Sequence, residues 1–209
     1  MHSNTTNSIC IDKFARSSIK QQKACAIWLT GLSGAGKSTI ATLTEKALFS
    51  LGKHTYILDG DEIRSTLNTD LGYDAIARSE NIRRVSELAR LMVDSGLIVL
   101  CALISPFRRD RELAKLRFAP GEFFEIFVDV PLSVAESRDP KGLYRRARTG
   151  EIRGFTGIDS EYEQPKSPDL HLHTDNCTPE EAVAIIIDLL INNKIISQKQ
   201  KPLLCGTAL

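Results

Sequence analysis

The sequence is short of the features that mark secreted, membrane-bound and nucleic-acid-binding proteins. Its five cysteines are odd in number and form no C-x-x-C pair, which is typical of a reducing compartment. We therefore expect neither a disulfide nor a zinc site. The 27 basic and 26 acidic residues lack the basic excess that nucleic acids and anionic membranes attract. No apolar run is long enough to span a bilayer. Neither a nucleic acid nor a membrane is expected as a partner.

The 209 residues suffice for one hydrophobic core. We predict a flexible N-terminal extension over residues 1–23, one domain over 24–197 and a C-terminal tail over 198–209. The extension lacks the apolar stretch of a secretory signal, so we expect a cytoplasmic protein. An organelle transit peptide is the alternative, because Lys13, Arg16 and Ser17 suit one, although Asp12 does not.

Short apolar runs alternate with helical patterns over residues 24–197. Strands are predicted at 24–30, 54–58, 97–104, 123–128 and 170–172, with helices after the first, second and last of them. This order predicts an α/β fold of the P-loop kinase type, with a parallel sheet of about five strands and helices on both faces. Ligands would then bind at the carboxyl edge of the sheet. The polar, glycine-rich and arginine-rich segment 139–168 is predicted to be a mobile lid.

Residues 31–38 read GLSGAGKS and match the phosphate-binding pattern G-x-x-x-x-G-K-[ST]. The loop follows a predicted strand and opens a predicted helix, so its N–H groups can surround phosphates while Lys37 contacts them and Ser38 binds Mg²⁺. A glycine turn needed only for packing would not explain the lysine and the hydroxyl. The chain lacks the N-K-x-D of a GTPase, which favours a kinase. The predicted ATP-binding residues are Gly31, Ser33, Gly34, Ala35, Gly36, Lys37, Ser38 and Thr39.

Two carboxylates follow the second predicted strand, at the same edge of the sheet. Asp61 is the candidate that orients or deprotonates an attacking hydroxyl, and Asp59 would hold the water shell of Mg²⁺. Arg64, one helical turn beyond Asp61, suits an anionic neighbour of that hydroxyl. A helix N-cap followed by a turn is the alternative interpretation of the two aspartates.

A cluster of arginines opens the long predicted helix after the second strand. Arg78, Arg83 and Arg84 could together hold a multiply charged acceptor. They could equally pair with Glu80 and Glu87 on a solvated face. The residues alone leave the two interpretations open.

Seven segments resemble the adenylylsulfate kinase family, in the family's order and over about residues 24–175. They are GLSGAGKST, DGDEIR, LGYDAIARSENIRR, ISPFRRDR, FVDVPL, RDPKGLY and GEIRGFTGID. The resemblance implies transfer of the γ-phosphate of ATP, with Mg²⁺, to the ribose 3′-hydroxyl of adenosine 5′-phosphosulfate. The product, 3′-phosphoadenosine 5′-phosphosulfate, serves sulfate assimilation. The resemblance also implies a homodimer, and the chain length leads us to expect the form without a fused sulfurylase.

The resemblance assigns an acceptor site and further roles. The acceptor residues would be Asp61, Arg64, Tyr73, Arg78, Asn81, Ile104, Ser105, Lys141, Gly154 and Phe155. Tyr73 and Phe155 would stack on the acceptor's adenine, and Cys177 would line the adenine pocket of ATP. Arg145, Arg146 or Arg148 of the lid would approach the transferring phosphates. Tyr73, Ala77 and Arg145 depart from the family's usual residues at their positions.

Ser105 has two interpretations within the family. It could carry a phosphoryl group as a catalytic intermediate, or it could only bind the acceptor. We favour direct in-line transfer, because Ser105 has no evident neighbouring base in the sequence.

Two other functions compete with this one. A P-loop kinase for another nucleotide or small metabolite would share the phosphate loop and the lid, but would not require Asn81, Ser105 and Lys141 together. An ATP-binding regulatory module without turnover would keep only nucleotide binding.

Overall fold

The predicted strands form one parallel sheet in the computed structural model, which describes residues 11–197. The strands are β1 Cys25–Thr30, β2 Thr55–Asp59, β3 Ile98–Ala102, β4 Phe123–Asp129 and β5 Leu170–His173. Their order is β2-β3-β1-β4-β5, and every neighbouring pair is parallel. All residues of β1 and β3 are buried, which explains why their sequences are continuously apolar rather than alternating. The α/β prediction is confirmed.

Helices cover both faces of this sheet, as predicted. They are α1 Lys13–Ser18, α2 Lys37–Ser50, α3 Gly60–Ser65, α4 Ala75–Asp94, α5 Arg108–Lys115, α6 Leu132–Arg138, α7 Leu143–Arg148 and α8 Pro179–Asn192. Successive side chains of a strand point to opposite faces. Ile27 therefore packs in the core formed with α2 and α8, whereas Trp28 packs in the core formed with α4. None of the described helices is both long and apolar enough to cross a membrane.

The segment 11–23 corrects the prediction of a flexible extension. Asp12 accepts a hydrogen bond at the start of α1. Arg16 forms an ion pair with Asp94 at 2.6 Å, and the Gln22 amide donates to the carbonyl of Gly96 at 2.9 Å. These polar side chains bind groups exposed at the end of α4, so the segment packs on the domain instead of trailing from it. Residues 1–10 and the predicted tail 198–209 lie outside the described residues.

Five short helices, α1, α3, α5, α6 and α7, were not predicted. Each has only six to eight residues, too few for an apolar period to stand out. Helix α7 lies inside the segment predicted to be a lid, and its Tyr144 side chain is buried against Phe155 with ring centroids 5.0 Å apart. Part of this segment therefore belongs to the packed domain, while its mobility stays a prediction.

We predict that alanine substitutions at two neighbouring isoleucines of α8 lower the free energy of unfolding by very different amounts. Ile186 is fully buried, so Ile186→Ala should lower the free energy of unfolding by about 2–5 kcal/mol through lost burial and a residual cavity. Ile185 is 41% exposed, and Ile185→Ala should cost less than about 1 kcal/mol. Urea unfolding of the two variants measures both values. Equal losses would show that α8 does not pack as described.

Candidate active site

The phosphate loop lies at the carboxyl end of β1, pressed against the backbone of β4. A Cβ atom on Gly31 would lie 2.2 Å from the Val128 carbonyl oxygen, so no larger residue fits there. Gly34 and Gly36 have φ values of 75° and 100°, which glycine adopts without strain. Gly36 directly precedes α2. The loop's conformation thus requires its glycines, and the N–H groups at the start of α2 are available for an anion.

The Lys37 side chain is buried beneath this loop. Its ammonium group donates hydrogen bonds to the carbonyls of Gly31 at 2.9 Å and Leu32 at 2.7 Å. Burial lowers the pKa of Lys37 to about 8, although the nearby carboxylates of Asp59 and Asp61 act in the opposite direction. Because this ammonium group is poorly solvated, a triphosphate bound beside it would strongly stabilise its charged form.

Asp59 ties the phosphate loop to the next strand. Its Oδ2 accepts a hydrogen bond from the Ser38 hydroxyl at 2.6 Å, and its Oδ1 accepts one from the Asp61 N–H at 2.9 Å. The N-cap alternative is therefore correct for Asp59, which caps α3. The cap does not exclude a metal role, because the same carboxylate lies beside Ser38.

Asp61 and Arg64 point from α3 into the cleft. Asp61 is exposed and forms an ion pair with Lys141, which raises the pKa of Lys141. Arg64 donates to the carbonyl of Gly72 at 2.8 Å, and its guanidinium carbon lies 4.7 Å from the centre of the Tyr73 ring. The Tyr73 ring is itself largely exposed, so an aromatic face remains available.

The arginines of α4 separate into two groups. Arg78 is buried and donates to the backbone carbonyls of Tyr73 at 2.7 Å and Gly154 at 2.8 Å. Arg83 and Arg84 instead form ion pairs with Glu80 on the surface. The acceptor interpretation thus fits Arg78, and the solvated-face interpretation fits the other two.

Ser105 lies in a left-handed backbone conformation, with φ of 40° and only 2% exposure. Its hydroxyl donates to Thr30 Oγ1 at 2.8 Å and accepts from Trp28 Nε1 at 3.2 Å. Arg111 donates to the Ser105 carbonyl at 2.6 Å and forms an ion pair with Glu125 at 2.7 Å. The hydroxyl is engaged in a buried network, and none of its partners is a base that could deprotonate it.

These residues surround one cleft of about 1110 Å³. Most of the predicted site residues line it: Ser33, Gly34, Ala35, Gly36, Lys37, Ser38, Thr39, Asp59, Asp61, Arg64, Tyr73, Arg78, Asn81, Ile104, Ser105, Lys141, Phe155 and Cys177. Gly31 and Gly154 do not line it, and they act through carbonyls that hold Lys37 and Arg78. The Asn81 amide oxygen accepts a hydrogen bond from Asn68 at 3.0 Å, which leaves the Asn81 NH₂ group for the cleft.

Among the lining residues that the sequence did not indicate, two support the phosphate loop. Thr174, after β5, donates to the carbonyl of Ala35 at 3.0 Å. Arg138, at the end of α6, donates to the Thr174 carbonyl at 2.5 Å and to that of Gly34 at 3.4 Å. Both support the phosphate loop from the side of β5. No local pattern could indicate them, because their partners are backbone atoms more than 30 residues away.

The lid arginines differ in position. Arg146 lines the cleft and donates to Glu151 at 2.9 Å. Arg148 pairs with Glu136 at 2.5 Å, and Arg145 is not among the residues that line the cleft. Arg146 is thus the best placed of the three to approach a bound phosphate.

Comparison with known proteins agrees with this geometry. The family described as adenylylsulphate kinase matches residues 23–173. An adenylyl-sulfate kinase of Aeromonas hydrophila is 59% identical over 87% of this chain and 90% of its own length. The bifunctional enzyme CysN/CysC of Xylella fastidiosa is 58% identical over 86% of the chain, which spans only 29% of that protein.

A solved structure is similar as well. It is the APS kinase CysC of Mycobacterium tuberculosis in complex with AMPPNP and APS, 48% identical, with a TM-score of 0.78 over 81% of this chain and 98% of that one. A gluconokinase of Sinorhizobium meliloti, 18% identical with a TM-score of 0.53, shares the fold alone.

Binding of Mg-ATP should be accompanied by proton uptake at about pH 8. Part of the Lys37 population is neutral at this pH, and the triphosphate's charge favours the ammonium form, so the complex should gain protons. The uptake should fade toward neutral pH, where Lys37 is already charged. Calorimetric titrations in two buffers of different ionisation enthalpy measure it.

The matched control is Lys46→Met, which removes an exposed lysine of α2 and should leave the uptake unchanged. Proton release at this pH, or no net exchange, would contradict the depressed pKa of Lys37.

Proposed function

Since this chain belongs to the adenylylsulphate kinase family, it phosphorylates adenosine 5′-phosphosulfate with ATP, and we propose that the γ-phosphate passes directly to the ribose 3′-hydroxyl. The product, 3′-phosphoadenosine 5′-phosphosulfate, enters sulfate assimilation. The observation that carries this mechanism is the position of Asp61 in one cleft with Lys37 and the arginines 64 and 78. Asp61 supplies a carboxylate for the acceptor's hydroxyl, and Lys37, Arg64 and Arg78 supply cations for two anionic ligands.

The phosphate loop holds ATP in this proposal. Lys37 leaves the carbonyls of Gly31 and Leu32 for the β- and γ-phosphates, and the N–H groups of residues 33–39 bind their oxygens. Cys177 is a half-buried lining residue of the cleft, and in this proposal its side chain contacts the adenine of ATP. Arg138 and Thr174 hold the loop from behind.

Ser38 and Asp59 fit a hard divalent cation. The hydroxyl and the carboxylate oxygen lie 2.6 Å apart and face the loop's anion site, and oxygen atoms are the ligands that Mg²⁺ prefers. Bound there with ATP, Mg²⁺ would neutralise charge on the phosphates. Ser38 would contact it directly, and Asp59 would do so through water.

Asp61 orients the attacking hydroxyl and accepts its proton. In the described structure this carboxylate forms an ion pair with Lys141. The anionic phosphosulfate of the acceptor competes for Lys141, so acceptor binding frees Asp61 to face the 3′-hydroxyl. Phosphoryl transfer depends chiefly on such positioning and on charge stabilisation.

The remaining acceptor contacts follow from the cleft's walls. Arg64 and Arg78 bind the phosphosulfate, and Asn81 donates its amide hydrogens. The exposed face of Tyr73 and the ring of Phe155 flank the adenine. The backbone of Ile104 completes the pocket with Ser105 as a binding residue, while Gly154 acts through the carbonyl that holds Arg78.

Two substitutions separate direct transfer from a phosphoserine intermediate. Asp61→Asn should lower kcat by about 10²–10⁴-fold, because the hydroxyl loses its proton acceptor. Ser105→Ala should retain turnover, with its main effect on the KM for the acceptor. The measurement is ADP release with Mg-ATP, with and without adenosine 5′-phosphosulfate.

Glu62→Gln is the matched control, since it neutralises the exposed carboxylate next to Asp61 and should leave kcat unchanged. Loss of turnover in Ser105→Ala, with a phosphoryl group trapped on the wild-type serine, would refute direct transfer. Acceptor-independent ADP release would indicate a kinase for another substrate, and ATP binding without release would indicate a regulatory module.

We further propose that the protein works in the cytoplasm as a homodimer. The thiols of Cys25, Cys101 and Cys177 are free, which suits a reducing compartment. The helices α4 and α5 are neighbours, and the apolar side chains of Leu91 on α4, Leu113 on α5 and Leu116 directly after α5 are exposed, where a second copy could cover them.

Light scattering on the eluting protein should therefore give about twice the chain mass of 23.2 kDa. Leu116→Lys should lower this mass to that of a monomer if α5 is in the interface, whereas Phe49→Lys, an exposed change on α2, should not. A monomeric wild-type protein would contradict the proposal.

A further inference from the structure

A second cavity, of about 740 Å³, lies beside the carboxyl ends of β4 and β5, and none of the proposed acceptor residues lines it. Four of its lining side chains are carboxylates: Asp129, Asp159, Glu161 and Asp175. Among the described residues that line it there is no lysine or arginine, and His173 is the one potentially cationic side chain. The cavity is therefore a region of negative potential that attracts cations.

Sheet register brings two histidines and an aspartate together at the edge of this cavity. His171 and His173 are two residues apart on β5, so their side chains share one face, while Leu172 between them is buried on the other. Asp129 of β4 is the register partner of His173, which places its carboxylate on the same face. The pairing of β4 with β5 is therefore enough to bring these three side chains together, and no loop residue is needed.

The distances among these groups fit a metal ion. Asp129 Oδ2 lies 2.9 Å from His171 Nε2 and 3.7 Å from His173 Nδ1, and the three ligand atoms all lie within 4.8 Å of one another. Ligands about 2.0–2.1 Å from a tetrahedral zinc ion are roughly 3.4 Å apart. The two short distances lie on either side of this value, so small side-chain rotations would complete the site.

We propose that Asp129, His171 and His173 bind a divalent transition-metal ion of the zinc class. Imidazole nitrogens favour Zn²⁺, Ni²⁺ and Co²⁺ over Mg²⁺, which prefers oxygen. Three protein ligands would leave at least one coordination position for water. The cysteine spacing gave no sign of this site, since its donors are imidazoles that only the β4–β5 pairing brings together.

The histidines are accessible to an incoming ion. The side chains of His171 and His173 are 41% and 60% exposed, and that of Asp129 is 23% exposed. The His171 ring stacks on Phe127 at 4.7 Å, which limits its rotation and helps to keep Nε2 directed at Asp129. Partly fixed ligands lose less entropy when the ion binds.

The site is close to the phosphate loop but separate from the proposed Mg²⁺ ligands. Thr174, next to His173, donates from its N–H to the Asp129 carbonyl at 2.9 Å and from its hydroxyl to Ala35. A metal ion bound by Asp129 and His173 would therefore lie next to Thr174, whose hydroxyl supports the phosphate loop.

The test is calorimetric titration of the full chain with Zn²⁺, without nucleotide and in excess Mg²⁺. The double variant His171→Gln/His173→Gln should lose one equivalent of bound Zn²⁺ relative to the wild type, and Asp129→Asn should bind it more weakly. His54→Gln, which removes an exposed histidine before the opposite edge strand, should bind as the wild type does. Thiol sites are common to all four proteins and cancel in the comparison.

A second readout guards against misfolded variants. Zn²⁺ should raise the thermal unfolding midpoint of the wild type and of His54→Gln, but not that of the double variant. Equal zinc stoichiometry in the wild type and the double variant, or displacement of the ion by Mg²⁺, would overturn the proposal.

Discussion

The carboxylate of Asp59 is the constraint on which the cleft depends. One of its oxygens accepts from the Ser38 hydroxyl at the start of α2, and the other accepts from the Asp61 N–H at the start of α3. Hydrogen bonds to an ionised acceptor are stronger than neutral ones, so this side chain links two adjacent helix starts firmly. The separation between the phosphate loop and the Asp61 carboxylate is set before any ligand binds.

A buried polar network has a similar role on the acceptor side. Arg111, almost wholly buried, spans from the Ser105 carbonyl to Glu125 and holds the serine in its left-handed conformation. The cost of desolvating such a buried ion pair is about as large as the attraction between its charges. The pair therefore fixes the position of Ser105 rather than adding to the free energy of unfolding. The network also explains why Ser105 suits a fixed binding wall better than a nucleophile, since its hydroxyl is engaged by Trp28 and Thr30.

Features that depend on neighbouring residues were predictable from the sequence. The capping box of α8 is such a feature, since Thr178 and Glu181, which bond reciprocally, are three residues apart. The apolar runs became strands within one or two residues of their predicted ends. The short helices were missed, because six to eight residues show no clear period. The docking of α1 was missed too, since Arg16 and Gln22 are ordinary polar residues until α4 is beside them.

By itself the sequence determined the α/β fold, the phosphate loop and the family, because each rests on residue types at fixed local spacing. Tertiary structure alone decided that Arg78 faces the cleft while Arg83 and Arg84 pair with Glu80, although the three share one helix. It alone brought Lys141 to Asp61, and His171 and His173 to Asp129. The reason is that a side chain's partners are set by helix rotation and strand register, which the packing of the whole core determines.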